Sequence, residues 1–188
     1  MPPVVRSLLV VVLLATACAD VGAGGPPPTT AATQSAIASG TSATPSAGPT
    51  VAGMRIRIPR LGIDLPLQEG DEARDVPSVG SAGATPEGAA FHFPGTAVPG
   101  EVGNSYIYAH ARVGMFLSLW RAGVGDRVEI LRPGGPTLVY AIAEVHSAVV
   151  SNDVSWLLPT ADERLTLQTS TGPTPAYPRF IVVARREG

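Results

Sequence analysis

From Met54 to Arg186 short runs of strand-forming residues alternate with glycine- and proline-rich turns, and no stretch keeps helical spacing beyond about two turns. That punctuation is the strongest constraint on the fold. MRIRIPRLGIDLPL alternates Met54, Ile56 and Ile58 with Arg55 and Arg57, turns at Leu61-Gly62, and continues into a second strand or edge segment containing Pro66. Asp71 to Glu87 is polar and rich in Gly, Pro and Ser, and reads as loop. Further strands are predicted at Ala89–Phe93, Ser105–His110, Arg127–Leu131, Thr137–Val149, Arg164–Thr169 and Arg179–Ala184. One short helical piece is predicted at Val113–Trp120, where Met115, Phe116, Leu119 and Trp120 share a face. Many short strands with a lone helix predict an all-β, closed or nearly closed barrel around one core.

The N-terminal third of the chain has a different character. Arg6 precedes an apolar run from Leu8 to Ala15, too short for the roughly 20 residues of a membrane span but laid out like a secretory signal. The only cysteine, Cys18, directly follows Leu14-Ala15-Thr16-Ala17. This resembles the lipobox of bacterial lipoproteins, in which the cysteine is lipidated and becomes the new N-terminus. The expected organisation is a signal peptide at 1–17, a lipid anchor at Cys18 with a disordered Ala/Gly/Pro/Ser/Thr tether to Gly53, and a barrel domain at 54–188. A flexible tether of that length spans roughly 30–35 Å, enough to lift a domain off a membrane surface. The alternative is an ordinary signal peptide and a secreted protein.

Composition excludes several chemistries. A net charge of −2 gives no electrostatic case for nucleic acid. All 13 basic residues are arginine, which rules out a Schiff-base or phosphate-loop lysine. With Cys18 used as an anchor, the domain has no thiol for a disulfide or a cysteine-ligated metal. His92, His110 and His146 have no zinc-type spacing, so no metal or other cofactor is expected. There is no Gly-x-Ser-x-Gly elbow.

Polar residues at three strand ends form the chemical candidate. His110 closes SYIYAH, Ser170 follows LTLQT, and Arg179 opens RFIVVAR. Together they offer a nucleophile position, a proton-transfer group and a fixed cation for a developing oxyanion. His92, Thr169 and Thr171 are candidates for contacting a bound ligand, and Asp153 or Glu144 for orienting His110. In Thr-Ser-Thr-Gly-Pro, Ser170 is equally well read as a turn residue using its hydroxyl on local backbone. His146, Trp120 and Trp156 read as structural.

HFPGTAVPGEVGNSYIYAHAR, TLQTS, PRFIVVAR and MRIRIPRLGIDLPL together resemble the sortases, especially the class D and E type. The resemblance covers nearly all of Met54–Arg186 and implies a closed barrel of about eight strands with one or two short helices. It also implies a cell-surface transpeptidase that cleaves a sorting signal after threonine through a thioacyl intermediate. Carried over by position, His110 matches the catalytic histidine, Arg179 the oxyanion-stabilising arginine, and Ser170 the nucleophilic cysteine. Serine at that position, with Ala109 and Ala111 flanking the histidine, departs from the family pattern. The expectation is a monomeric, membrane-anchored domain that binds a sorting-signal or cell-wall peptide with little acyl transfer. The alternative is an active peptidase or transpeptidase using Ser170, and a third reading is an exported scaffold whose function lies on another face.

Overall fold

The computed structural model describes residues 50–77 and 83–188. The expected signal peptide, Cys18 and the tether up to residue 49 lie outside the described residues. Eight strands form a closed barrel: β1 (Arg55–Ile58), β2 (Ile63–Glu69), β3 (Ala90–His92), β4 (Asn104–Tyr108), β5 (Arg127–Leu131), β6 (Leu138–Val149), β7 (Arg164–Ser170) and β8 (Arg179–Arg186). Their order around the barrel is β1-β2-β3-β4-β7-β8-β6-β5, with β5 closing onto β1. The pairs β2/β3 and β4/β7 are parallel, and the others are antiparallel. Each parallel pair therefore needs a connection that crosses between barrel ends. Closure leaves no unpaired sheet edge.

Alternation decides the core. In β1, Ile56 and Ile58 are buried and Arg55 and Arg57 exposed. The same alternation recurs around the barrel, so Ile107, Leu165, Leu167, Phe180 and Val182 point inward into one cluster. Gly62 takes φ 65° to turn the first strand into the second, a conformation glycine adopts without penalty.

Four local features refine the expectations. Val51, assigned to the tether by its composition, is fully buried in the core, and its N–H donates to Glu69 Oε1 at 2.9 Å. Packing thus reaches past Met54. The segment read as loop after Asp71 contains one α-helical turn, α1 (Glu72–Asp75), because the Asp71 carboxylate accepts the Arg74 N–H as an N-cap. The predicted helical piece is a 3-10 helix at Phe116–Arg121 that buries Phe116 and Leu119 in the core cluster. A further 3-10 turn, Val154–Leu157, is capped by Asp153 and carries Trp156.

Candidate functional site

Period 2 builds the site on the outside of the barrel. Residues 106 and 108 of β4 lie on the face opposite Ile107, and that face continues past the strand end to His110. On β7, paired in parallel with β4, Gln168 and Ser170 share the outer face, while Leu167 and Thr169 point inward. On β8, Arg179 is the direct antiparallel partner of Ser170, which puts their side chains on one face about 5 Å apart at Cβ. His110, Ser170 and Arg179 all line a single groove of about 380 Å³. Its floor is Phe93, Tyr106 and Tyr108, with Phe93 edge-on to Tyr106 at 6.0 Å. Val154 and Leu157 wall one side, and Pro173–Pro175 another.

The three groups are near one another but chemically separate. The Ser170 hydroxyl donates to the Gly172 carbonyl at 2.6 Å, and Gly172 N–H donates back to Ser170 Oγ at 3.2 Å. This is the local turn arrangement. His110 Nε2 lies 2.8 Å from the Thr85 carbonyl oxygen. A carbonyl only accepts, so Nε2 carries the proton. Among the described residues no hydrogen bond joins Ser170 to His110. Arg179 donates from Nη2 to the Pro175 carbonyl at 3.2 Å, and burial pulls its pKa down. The neighbouring Tyr106 phenol is pushed up by burial and stays neutral.

Neither carboxylate considered for His110 serves it. Asp153 accepts from Ser155 N at 3.0 Å, Ser155 Oγ at 2.6 Å and Trp156 Nε1 at 3.2 Å. Glu144 faces His146 Nε2 at 3.1 Å and Arg185 at 3.6 Å. The Thr85 carbonyl holds the imidazole instead. His146 in turn packs tilted against Trp156, with ring centroids 4.7 Å apart. Trp120 lies outside the groove lining, and its indole N–H donates to the Ser170 carbonyl at 3.2 Å.

The other three candidate residues do not line the groove. Buried His92 is held by Glu69 Oε2 at 3.1 Å, the Ala97 carbonyl at 2.9 Å and Thr96 Oγ1 at 3.0 Å. Thr169 is fully buried and donates to the Ala109 carbonyl at 2.8 Å, because the pleat turns it away from Ser170. The Thr171 hydroxyl donates to the Pro178 carbonyl at 2.8 Å and helps close the β7–β8 loop.

Sequence reading missed the acidic anchor of the groove. The Asp75 side chain is 1% exposed. It accepts from Arg74 Nε at 2.6 Å and Nη2 at 2.8 Å, from Asp71 N–H at 2.9 Å, and from the Tyr108 hydroxyl. Burial pushes its carboxyl up, but the bonds from Arg74, Tyr108 and Asp71 outweigh this and bring it down to about 2. Glu72 and Asp75 line the groove from α1. Among the described residues, no cluster of three His, Cys, Asp or Glu side chains is placed to hold a metal ion.

The sortase-domain family model matches residues 56–187, which is all of the barrel but Arg55. The chain belongs to the sortase family. Its fold is similar to a lid mutant of sortase A from Corynebacterium diphtheriae, at 26% identity and a TM-score of 0.59 over 72% of this chain and 69% of that one. It is similar also to the sortase D5 transpeptidase of Clostridium perfringens, at 26% identity and a TM-score of 0.57 over 72% of this chain and 78% of that one. Sortase A of Listeria monocytogenes, at 22% identity and a TM-score of 0.59 over 72% of this chain and 86% of that one, shares the fold. Comparison with curated protein sequences gives no significant match.

Proposed function

We propose that this sortase-family protein is exported, is held at the outer face of the cytoplasmic membrane through Cys18, and uses its groove to bind an extended sorting-signal or cell-wall peptide with little or no acyl transfer. The class D/E resemblance belongs to the same reading, with Ser170 at the nucleophile position. The observation that carries the proposal is the closure of the Ser170 hydroxyl onto Gly172 while the His110 Nε2 proton sits on Thr85. A thiolate is accessible near neutral pH, whereas a serine hydroxyl must hand its proton to a base in hydrogen-bond contact. That contact is missing between the two groups. Loss of a nucleophile in a serine protease costs on the order of 10⁶ in turnover.

The test is intact-mass analysis of the protein incubated with threonine-containing peptides, alongside calorimetric binding. The expected result is binding without an adduct, and a thioester adduct or turnover on Ser170→Cys. An acyl adduct on the wild type that disappears in Ser170→Ala would establish the alternative, a serine-based transpeptidase or peptidase. The convergence of His110, Ser170 and Arg179 on one groove favours that second reading. Absence of peptide binding would remove the proposal. Cys18→Ala is expected to move the protein from the membrane fraction to the soluble one, and unchanged fractionation would refute the anchor.

A further inference from the structure

Between the β1–β2 turn and the segment that follows β4 lies an open trough of about 500 Å³. It shares no residue with the groove lining. Leu61, Val113, Leu117 and Trp120 line it, and Arg121 is the only charged residue in its lining. Val113 is 89% exposed and Trp120 43%, and Val124, just past Arg121 in sequence, is 73% exposed. Single apolar side chains on a surface are ordinary, but a trough lined by them marks a contact face. The neighbouring arginines are paired, Arg60 with Asp126 and Arg112 with Glu87. Arg121 is not. Its carbonyl accepts from Arg60 Nη2 at 2.6 Å, but among the described residues its guanidinium has no hydrogen bond or salt bridge.

We infer that this face docks onto a bilayer surface containing anionic phospholipid, with acyl chains against the trough and a headgroup phosphate on Arg121. The chemistry of the face selects that occupant. A bound peptide would draw on main-chain partners, yet the barrel is closed and the N–H groups of Met115, Leu117 and Ala122 bond within their own segment. Acyl chains need no directed partner. An unpaired arginine beside apolar surface complements an anionic headgroup over hydrocarbon. Tryptophan is the side chain that settles at such a boundary. The Trp120 N–H is already donated to the Ser170 carbonyl, so the ring meets the acyl region with its one donor satisfied. The same bond joins the face to the end of β7, so a docked bilayer would hold the peptide groove at the membrane surface. The inference rests on the placement at a membrane proposed above, but neither on Cys18 nor on peptide binding.

The experiment follows the emission of full-length Trp156→Phe protein, in which Trp120 is the sole tryptophan, on addition of vesicles. One set is phosphatidylcholine and the other an equal mixture with phosphatidylglycerol, each made with and without brominated acyl chains as quencher. Trp120 is expected to shift to the blue and to be quenched on the mixed vesicles. The lipid concentration that half-quenches it is expected to rise about tenfold in Val113→Asp. In Arg121→Gln it should rise about fivefold. Thermal melts confirm that each variant folds. Protein that sediments with the vesicles while Trp120 stays unshifted and unquenched would be attached elsewhere, which would overturn the inference. Equal quenching by both vesicle sets would overturn the assignment of a headgroup to Arg121. A concentration-dependent dimer that Val113→Asp abolishes would give the face to a second copy and overturn the bilayer as its occupant. The assay contains no peptide and compares variants that all keep Cys18, so its failure is distinct from failure of the anchor or of the peptide groove.

Discussion

Replacing Asp75 with asparagine tests the acidic anchor of the groove through its pH dependence. The Asp75 carboxyl is lowered from an ordinary 3.8 to about 2 because three donors hold its ionised form against the cost of burial. At about 1.36 kcal/mol for each pH unit, that depression corresponds to about 2.4 kcal/mol of folding stability. As pH falls, the unfolded chain takes up the proton first, since its carboxyl has the higher pKa. The contribution is therefore complete above pH 4 and is lost as pH falls towards 2. Asp75→Asn keeps one acceptor for Tyr108 but offers an NH₂ group to the Arg74 guanidinium. It is expected to cost about 2–3 kcal/mol at pH 7 in urea unfolding, with the gap to wild type closing between pH 4 and pH 2. Asp126 and Asp153, whose pKa values are also lowered, titrate in both proteins and cancel in the difference. Because Asp75 and Tyr108 line the groove, peptide affinity should fall with stability at pH 7. A gap below about 0.5 kcal/mol at pH 7, or one that stays constant down to pH 2, would refute the reasoning.

Three further substitutions probe the framework. A Cβ on Gly70 would run into the Tyr108 hydroxyl and come within 2.7 Å of the His92 carbonyl. Gly70→Ala should thus destabilise by about 1–3 kcal/mol and weaken peptide binding by displacing Tyr108, as read by thermal melting and calorimetry. Among the described residues, Ser105 Oγ is buried without a hydrogen-bond partner. Ser105→Ala should therefore leave stability unchanged or raise it by about 1 kcal/mol, and a loss beyond about 1 kcal/mol in urea titration would count against the inward placement. Thr169→Val removes the bond to the Ala109 carbonyl at a cost of about 1 kcal/mol. It should leave peptide affinity unchanged, and weaker binding without loss of stability would return Thr169 to the groove.

The barrel was legible because its signals are local. Arg55–Ile58 and Arg127–Leu131 alternate cleanly, glycine and proline mark their ends, and both strands appear in the structure. The site was legible only in part, because strand ends were compared without following the pleat inward. Stepping back by two from His110 reaches Tyr108 and Tyr106, and from Ser170 reaches Gln168; all of them line the groove. The same rule separates Thr169 from Ser170, so three consecutive hydroxyls never formed one surface. Asp75 carried no such signal. Its partner Tyr108 lies 33 residues away, and the pairing exists only after α1 is laid against β4. The capped turn itself was readable, since Asp71 precedes Glu72-Ala73-Arg74 as an N-cap should.

The hydrogen bonds of Ser170 also give the oxygen at this position a structural task. A hydroxyl accepts the Gly172 N–H and donates to the Gly172 carbonyl, whereas a thiol is a weak donor and a weak acceptor. Those bonds fix the start of the β7–β8 loop, and the Thr171 backbone and hydroxyl bonds to the Pro178 carbonyl fix its end. Between them the loop supplies Pro173–Pro175 to the groove wall and the Pro175 carbonyl that steadies Arg179. Freeing the hydroxyl for attack would unfasten the wall beside the arginine. On the proposed reading, the serine stabilises the shape of the groove through the same bonds that withhold it from His110.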